Sequence, residues 1–157
     1  MSSEKNAQYS LLLAQAQALI ADEPDVIANM ANLSALLFNS LPDLNWAGFY
    51  IMRDGELVLG PFQGQVACVR IPVGKGVCGT AVATGEVQLV EDVHQFEGHI
   101  ACDAASNSEI VLPLHSNGQV VAVLDIDSPK LARFDNIDQQ YLTQLAELFA
   151  PRLSGLV

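Results

Sequence analysis

Two carboxylates stand two residues apart in Asp125-Ile126-Asp127, at the end of an apolar run. Alternate side chains of a β-strand share a face, so both acids would follow Val121 and Val123, with Ala122, Leu124 and Ile126 opposite. Like charges at such spacing raise each other's pKa, which makes either a proton donor or a cation site. The plainer reading is a strand end that has reached solvent, with Asp127 capping the turn at Ser128-Pro129. Glu109 opens the partner strand, and register decides whether it joins the pair. A two-residue loop at Asn117-Gly118 would pair Glu109 with Ile126 and turn the aspartates to the other face. A three-residue loop over 116–118 would pair it with Asp125 and bring three carboxylates together. Pro113 implies an edge or an irregular ladder here.

The thiols are Cys68, Cys78 and Cys102. They form no Cys-x-x-Cys pair, which speaks against zinc and against a thioredoxin-type motif. His94, His99 and Cys102 lie close in sequence but lack a fourth ligand, so no metal is expected. Cys102 sits in the polar segment Ala101-Cys102-Asp103, where a thiol is accessible and is either reactive or idle. Cys78 falls in the first turn of a helix, whose N–H groups can lower a thiol pKa; burial against a sheet is its plainer fate. Cys68, between Ala67 and Val69 in a strand, reads as a small buried hydrophobe. Gly74-Lys75-Gly76 offers N–H donors ahead of that helix but lacks the phosphate-loop spacing, and reads as an ordinary turn. Trp46 and Tyr50 share one face of a strand and Phe49 takes the other. They are either core or an aromatic wall for a ligand methyl or cation.

These residues need a frame. Val26, Ile27, Met30, Leu33 and Leu37 recur at steps of three and four, so the first forty residues read as two helices, with Pro24 in the first turn of the second. Strands are expected at 45–52, 56–59, 66–71 and 87–90, with a turn at Asp54-Gly55 and a short helix over 77–83. A polar loop spans 91–105, and strands at 109–115 and 119–127 flank Asn117-Gly118. A last helix starts near Asp135, with Asp135 and Asp138 sharing the cap and Ile137, Tyr141, Leu145, Leu148 and Phe149 on one stripe. Helices, then hairpin-linked strands, then a helix give an α+β domain with helices over an antiparallel sheet. All 157 residues form a single domain in this reading, with helices in 1–42 and the sheet, loops and final helix in 43–157. The first and last helices carry more apolar surface than one sheet face needs, which points to a homodimer.

Half of the residues are apolar and 16% are charged, which excludes a disordered or collagen-like chain. A formal charge of −11 repels phosphate backbones and anionic membranes, so no nucleic-acid or membrane role is expected. The N-terminal apolar runs are too short for a signal peptide or a span. An odd cysteine count fits a reducing compartment, and a cytoplasmic location is expected.

Asn45-Trp46-Ala47-Gly48-Phe49-Tyr50, Gly60-Pro61-Phe62-Gln63-Gly64, Ala67-Cys68, Gly74-Lys75-Gly76-Val77-Cys78-Gly79 and Asp125-Ile126-Asp127-Ser128 together resemble the free methionine-(R)-sulfoxide reductases, single-domain enzymes of GAF fold. The likeness runs from Asn45 through the last helix, and the three cysteines stand in family order with Glu109. The resemblance implies that Cys102 attacks the sulfoxide sulfur while Glu109 and Asp127 polarise or protonate its oxygen. Asp125 would hold the substrate ammonium, Trp46 would pack on its methyl, and Tyr50 would complete the wall. Backbone donors would take the substrate carboxylate. Cys102 would leave as a sulfenic acid that Cys68 resolves as a disulfide, with Cys78 as an alternate resolving thiol. Thioredoxin would reset the pair, and no bound cofactor is implied. The competing class is a GAF module that binds a small ligand without turning it over. Such a module would tolerate loss of Cys102. A purely structural dimerisation domain would leave Trp46 and the three acids unexplained.

Overall fold

Two helices, α1 (Ser2–Ile20) and α2 (Val26–Ser40), occupy the first forty residues. The computed structural model describes residues 2–100, 102 and 104–156. Asp25 caps α2 by accepting from the Ala28 N–H, so Pro24 precedes the cap and does not lie in the first turn. Six antiparallel strands follow: β1 (Trp46–Arg53), β2 (Glu56–Gly64), β3 (Arg70–Pro72), β4 (Gln88–Val90), β5 (Ser108–Ser116) and β6 (Gln119–Ser128). Their spatial order is β3-β2-β1-β6-β5-β4. The helix α3 (Gly76–Thr84) lies between β3 and β4, and α4 (Asn136–Phe149) follows β6.

Period-two alternation divides the sheet into two unlike faces. Ala47, Phe49 and Ile51 of β1, with Ile110, Leu112, Leu124 and Ile126, bury against α1, α2 and α4. Trp46, Tyr50, Val111 and Val123 face the other way, towards α3 and its flanking loops. The apolar stripe of α4 centres on Leu142, Leu145 and Phe149, while Ile137, Tyr141 and Leu148 pack at its margins. The family's α+β architecture, an antiparallel sheet flanked by helices, is therefore present. Gly48 sits where β1 and β2 shift register, and a Cβ there would run into Phe62. Only glycine lets β2 pass so close.

Three strand assignments differ from the sequence reading. β2 runs on to Gly64 rather than ending at Leu59, and the segment expected as a strand over 66–71 is ladder-forming only at Arg70–Pro72. Residues 65–69 form a loop, with the Gln65 and Cys68 carbonyls accepting from the Trp46 and Tyr50 side chains instead of from a neighbouring strand. The hairpin between β5 and β6 also departs from both registers considered. Asn117 and Gly118 have φ of 53° and 78°, a two-residue turn pairing Ser116 with Gln119. A bulge at Val121 then shifts the ladder by one, so Leu114 pairs with Ala122 and Glu109 with Asp127. The same bulge moves Val121 onto the helix-covered face, opposite to its expected side. Pro113 lies past the end of β4, where β5 is an edge and the missing N–H costs no ladder bond.

A buried polar knot ties α1 to α4. Asp138 is fully buried and accepts from Tyr9 Oη at 2.5 Å, Lys5 Nζ at 2.7 Å and Arg133 Nη1 at 3.3 Å. It also closes a capping box with Asp135, as the sequence indicates. Tyr9→Phe removes one donor from a buried anion. The expected cost is about 1.5–3 kcal/mol in urea unfolding. A loss below about 0.5 kcal/mol would mean that Lys5 and Arg133 hold the carboxylate without it.

Candidate active site: a disulfide beside three buried carboxyl groups

Strand register builds the centre of the site. Trp46 pairs with Asp127, which pairs with Glu109, which pairs with Val90, so these four form a row across β1, β6, β5 and β4. The next row on that face is Gly48, Asp125 and Val111. Directly opposed residues in antiparallel strands are about 4.5–5.5 Å apart. The bulge at Val121 thus places Glu109 with both aspartates, and the glycine in the second row is where Phe62 of β2 closes in on β1. All three acids are buried. The expected meeting of three carboxylates occurs, through a bulge rather than through a longer loop.

Helix α3 lies over this face and presents the buried thiol of Cys78. Donor atoms of Cys78, Glu109 and Asp125 lie within 4.8 Å of one another. Burial pushes the Glu109 carboxyl well above the usual carboxylate range, and the neighbouring Asp125 and Asp127 push it further. Burial also raises Asp125, although hydrogen bonds from Glu109 and Cys78 partly offset this. The Cys78 thiol is driven up by burial and then by Asp125 and Glu109, opposite to the lowering that a helix start can provide. Glu109 is therefore held as a neutral acid able to donate a proton. Asp125 Oδ1 is buried with no hydrogen-bond partner among the described residues.

Cys68 and Cys102 are joined by a disulfide with a Cα–Cα distance of 5.2 Å. Cys68 is thus a half-buried loop residue, where the sequence suggested a buried strand position. The aromatic pair anchors its loop. Tyr50 Oη donates to the Cys68 carbonyl at 2.9 Å, and Trp46 Nε1 donates to the Gln65 carbonyl at 3.2 Å. The Trp46 ring stacks on Phe62 at 5.1 Å and on Tyr50 at 5.9 Å. Burial raises the Tyr50 pKa, so the hydroxyl remains a donor. The bridge consumes Cys102, so the His94, His99 and Cys102 set is unavailable for a metal in this state.

One cavity of ≈ 40 Å³ is lined by Trp46, Tyr50, Cys78, Cys102 and the three acids. That is room for a few waters and far below the ~300 Å³ of a small-ligand pocket. The structure therefore brings every site residue read from the sequence to one place. The Gly74-Lys75-Gly76 segment is an ordinary turn: its N–H groups bond to the carbonyls of Gly79, Pro72 and Gly98, respectively. His99, read from the sequence only as a possible metal ligand with His94 and Cys102, also lines the cavity, as does Ser106, which the sequence reading did not single out. His99 has a buried Nδ1 with no partner among the described residues, and burial followed by the adjacent His94 lowers its pKa. Ser106 accepts from Asn45 Nδ2 at 3.0 Å, a long-range contact with no local signature.

Comparison with known proteins agrees with this geometry. Residues 28–153 match the GAF domain family. The chain is 60% identical over 141 residues to the free methionine-R-sulfoxide reductase of Escherichia coli, covering 90% of this chain and 86% of that one. The X-ray structure of free methionine-R-sulfoxide reductase from Neisseria meningitidis, in complex with its substrate, superposes with a TM-score of 0.93 at 46% identity, covering 97% and 92% of the two chains. The reduced form of the Staphylococcus aureus fRMsr superposes with a TM-score of 0.90 at 52% identity, covering 93% and 95%. By sequence and fold, the chain belongs to the free methionine-R-sulfoxide reductase family of GAF-domain proteins.

Proposed function

We propose that this protein reduces free L-methionine-(R)-sulfoxide to methionine, using Cys102 and Cys68 as its redox pair. One observation carries the reading. The disulfide, the neutral acid Glu109 and the Trp46/Tyr50 wall all line one cavity. In the reduced protein the Cys102 thiolate attacks the sulfoxide sulfur. Oxide is a poor leaving group, so Glu109, with Asp127 beside it, supplies the proton that lets the S–O bond break. Asp125, whose Oδ1 is unpartnered, takes the substrate ammonium. Trp46 packs on the S-methyl, with Tyr50 beside it, and backbone donors take the carboxylate.

The released oxygen adds to the Cys102 sulfur as the bond between Cys102 and the substrate sulfur breaks, so methionine leaves and Cys102 carries the oxygen as a sulfenic acid. Cys68 then displaces that oxygen as water and forms the disulfide. A dithiol donor, thioredoxin, returns both thiols. The net reaction converts sulfoxide and dithiol to methionine, disulfide and water. No bound cofactor or metal takes part in this scheme. The small cavity suits the oxidised, product-released state, and reduction would free the loop around Cys102 to make room for substrate.

Both chain partners and location form part of the proposal. Ala7, Leu11, Ala14 and Ala18 leave an apolar stripe exposed along α1, a face suited to a homodimer. A monomer mass in sedimentation equilibrium would remove that element. A thioredoxin-supplied reductase with a free Cys78 belongs in a reducing compartment, the cytoplasm.

The test is NADPH oxidation through thioredoxin reductase and thioredoxin, with each epimer of free methionine sulfoxide. Turnover with the R epimer and none with the S epimer is the expected result. No turnover with either epimer, in a folded sample with three titratable thiols, would favour the ligand-binding module.

A further inference from the structure

Three of the large apolar side chains left exposed, Val66, Val69 and Val73, fall within six residues of the disulfide cysteine Cys68. Val66 is 86% exposed and Val69 is 60% exposed. Between them, Ala67 lines the cavity and half-buried Cys68 is bonded to the lining residue Cys102. The loop thus buries its small residue and displays its larger ones, the reverse of what packing favours. A single exposed valine needs no explanation, but a cluster beside a reactive bond does. Consecutive Cα atoms are about 3.8 Å apart, so both valines stand within ~8 Å of the Cys68 Cα.

The loop that carries them is held in place. Gln65 and Cys68 carbonyls accept from Trp46 and Tyr50, and the Val69 carbonyl accepts from the Leu59 N–H at 2.8 Å. The disulfide adds a fourth tether. A surface fixed in this way loses little entropy when a partner covers it.

We infer that Val66 and Val69 form the docking surface for the protein dithiol that reduces the Cys68–Cys102 bond. The inference rests on the redox-pair reading above. Its occupant follows from continuity with the bond: a thiolate must approach along the S–S axis, so a protein donor attacking Cys68 has to cover that residue's chain neighbours. The donor thiolate bonds to Cys68 Sγ, the S–S bond breaks, and Cys102 leaves as a thiolate. The donor's second thiol then displaces Cys68, giving an oxidised donor and two reduced cysteines. The dithiol supplies two electrons and two protons. Attack at Cys68 keeps the donor outside the acid-lined cavity, whose ≈ 40 Å³ leaves no room for a protein side chain.

The experiment follows disulfide reduction without substrate, so its outcome does not depend on what the substrate is. Oxidised protein is mixed with reduced thioredoxin or with dithiothreitol, samples are quenched with an alkylating agent over time, and the labels on Cys68 and Cys102 are counted by mass spectrometry of this protein. In the double variant Val66→Asp/Val69→Asp, the second-order rate constant with thioredoxin should fall at least about tenfold. The dithiothreitol rate should stay within about twofold, because a small thiol needs no docking surface. Val66→Ser/Val69→Ser, which adds no charge, should show a smaller loss in the same sense. An unchanged thioredoxin rate constant would overturn the inference. So would a parallel fall with both reductants, which would place the effect in the loop's geometry. Failure of the function itself would show separately, as disulfide reduction without methionine sulfoxide turnover.

Discussion

Cys102→Ser should lower methionine sulfoxide turnover by at least about 10⁴-fold, because nothing else in the cavity replaces the thiolate as nucleophile. Cys78 cannot take over. It is buried beside Asp125 and Glu109, and its thiol is pushed up by that burial. Cys68→Ser should behave differently. One equivalent of methionine forms per protein, and cycling with thioredoxin then stops at the sulfenic acid, which a dimedone label would capture. Cys78→Ser should go on cycling, since the bridge joins the other two thiols. Mass spectrometry of the labelled protein and a single-turnover methionine assay separate these outcomes. Continued cycling by Cys68→Ser with loss in Cys78→Ser would transfer the resolving role to Cys78.

Glu109→Gln should lower kcat/KM by about 10²–10⁴-fold, the usual contribution of a positioned general acid. Glutamine keeps the shape but has no proton to yield. Parent activity should also fall as pH rises through the elevated pKa of Glu109, because the donor is then ionised; the variant should lack that limb.

Stability provides a second readout with the opposite sense. The folded protein holds a proton on Glu109 that the unfolded chain releases near pH 4.5. Above that pH the native state binds more protons than the unfolded state, so stability declines as pH rises towards the folded pKa. Glutamine escapes this penalty, although Asp125, raised in the same direction, retains part of the slope. Glu109→Gln should therefore melt at a higher temperature than the parent at pH 8, with the difference shrinking towards pH 4. A variant that melts lower by the same margin at every pH would show that the carboxylate is held by partners rather than held neutral.

Much of the frame was legible because local rules governed it. The α2 and α4 helices follow apolar spacing, Asp135 and Asp138 close a capping box, and Asp54-Gly55 and Asn117-Gly118 form the tight turns their residue types favour. Alternation along β1 correctly sent Trp46 and Tyr50 to one face and Phe49 to the other. The 65–69 segment misled because its run of small and apolar residues suits a strand, whereas two aromatic hydrogen bonds and a disulfide hold it as a loop. None of those partners is near in sequence.

The types of the candidate groups, their order along the chain and the faces of the aspartates were determined by the sequence itself. Side-chain type and a period of two are properties of the chain alone. Whether Glu109 joins Asp125 and Asp127 was not. One residue of register sends a side chain through the sheet, and it is settled by the bulge at Val121 in the β5–β6 pair. The same holds for the choice of Cys68 over Cys78 as partner to Cys102. Cys68 is carried to the cavity rim on an anchored loop, while α3 buries Cys78 beneath it. That choice depends on distance in three dimensions, which the spacing of three cysteines along a chain does not contain.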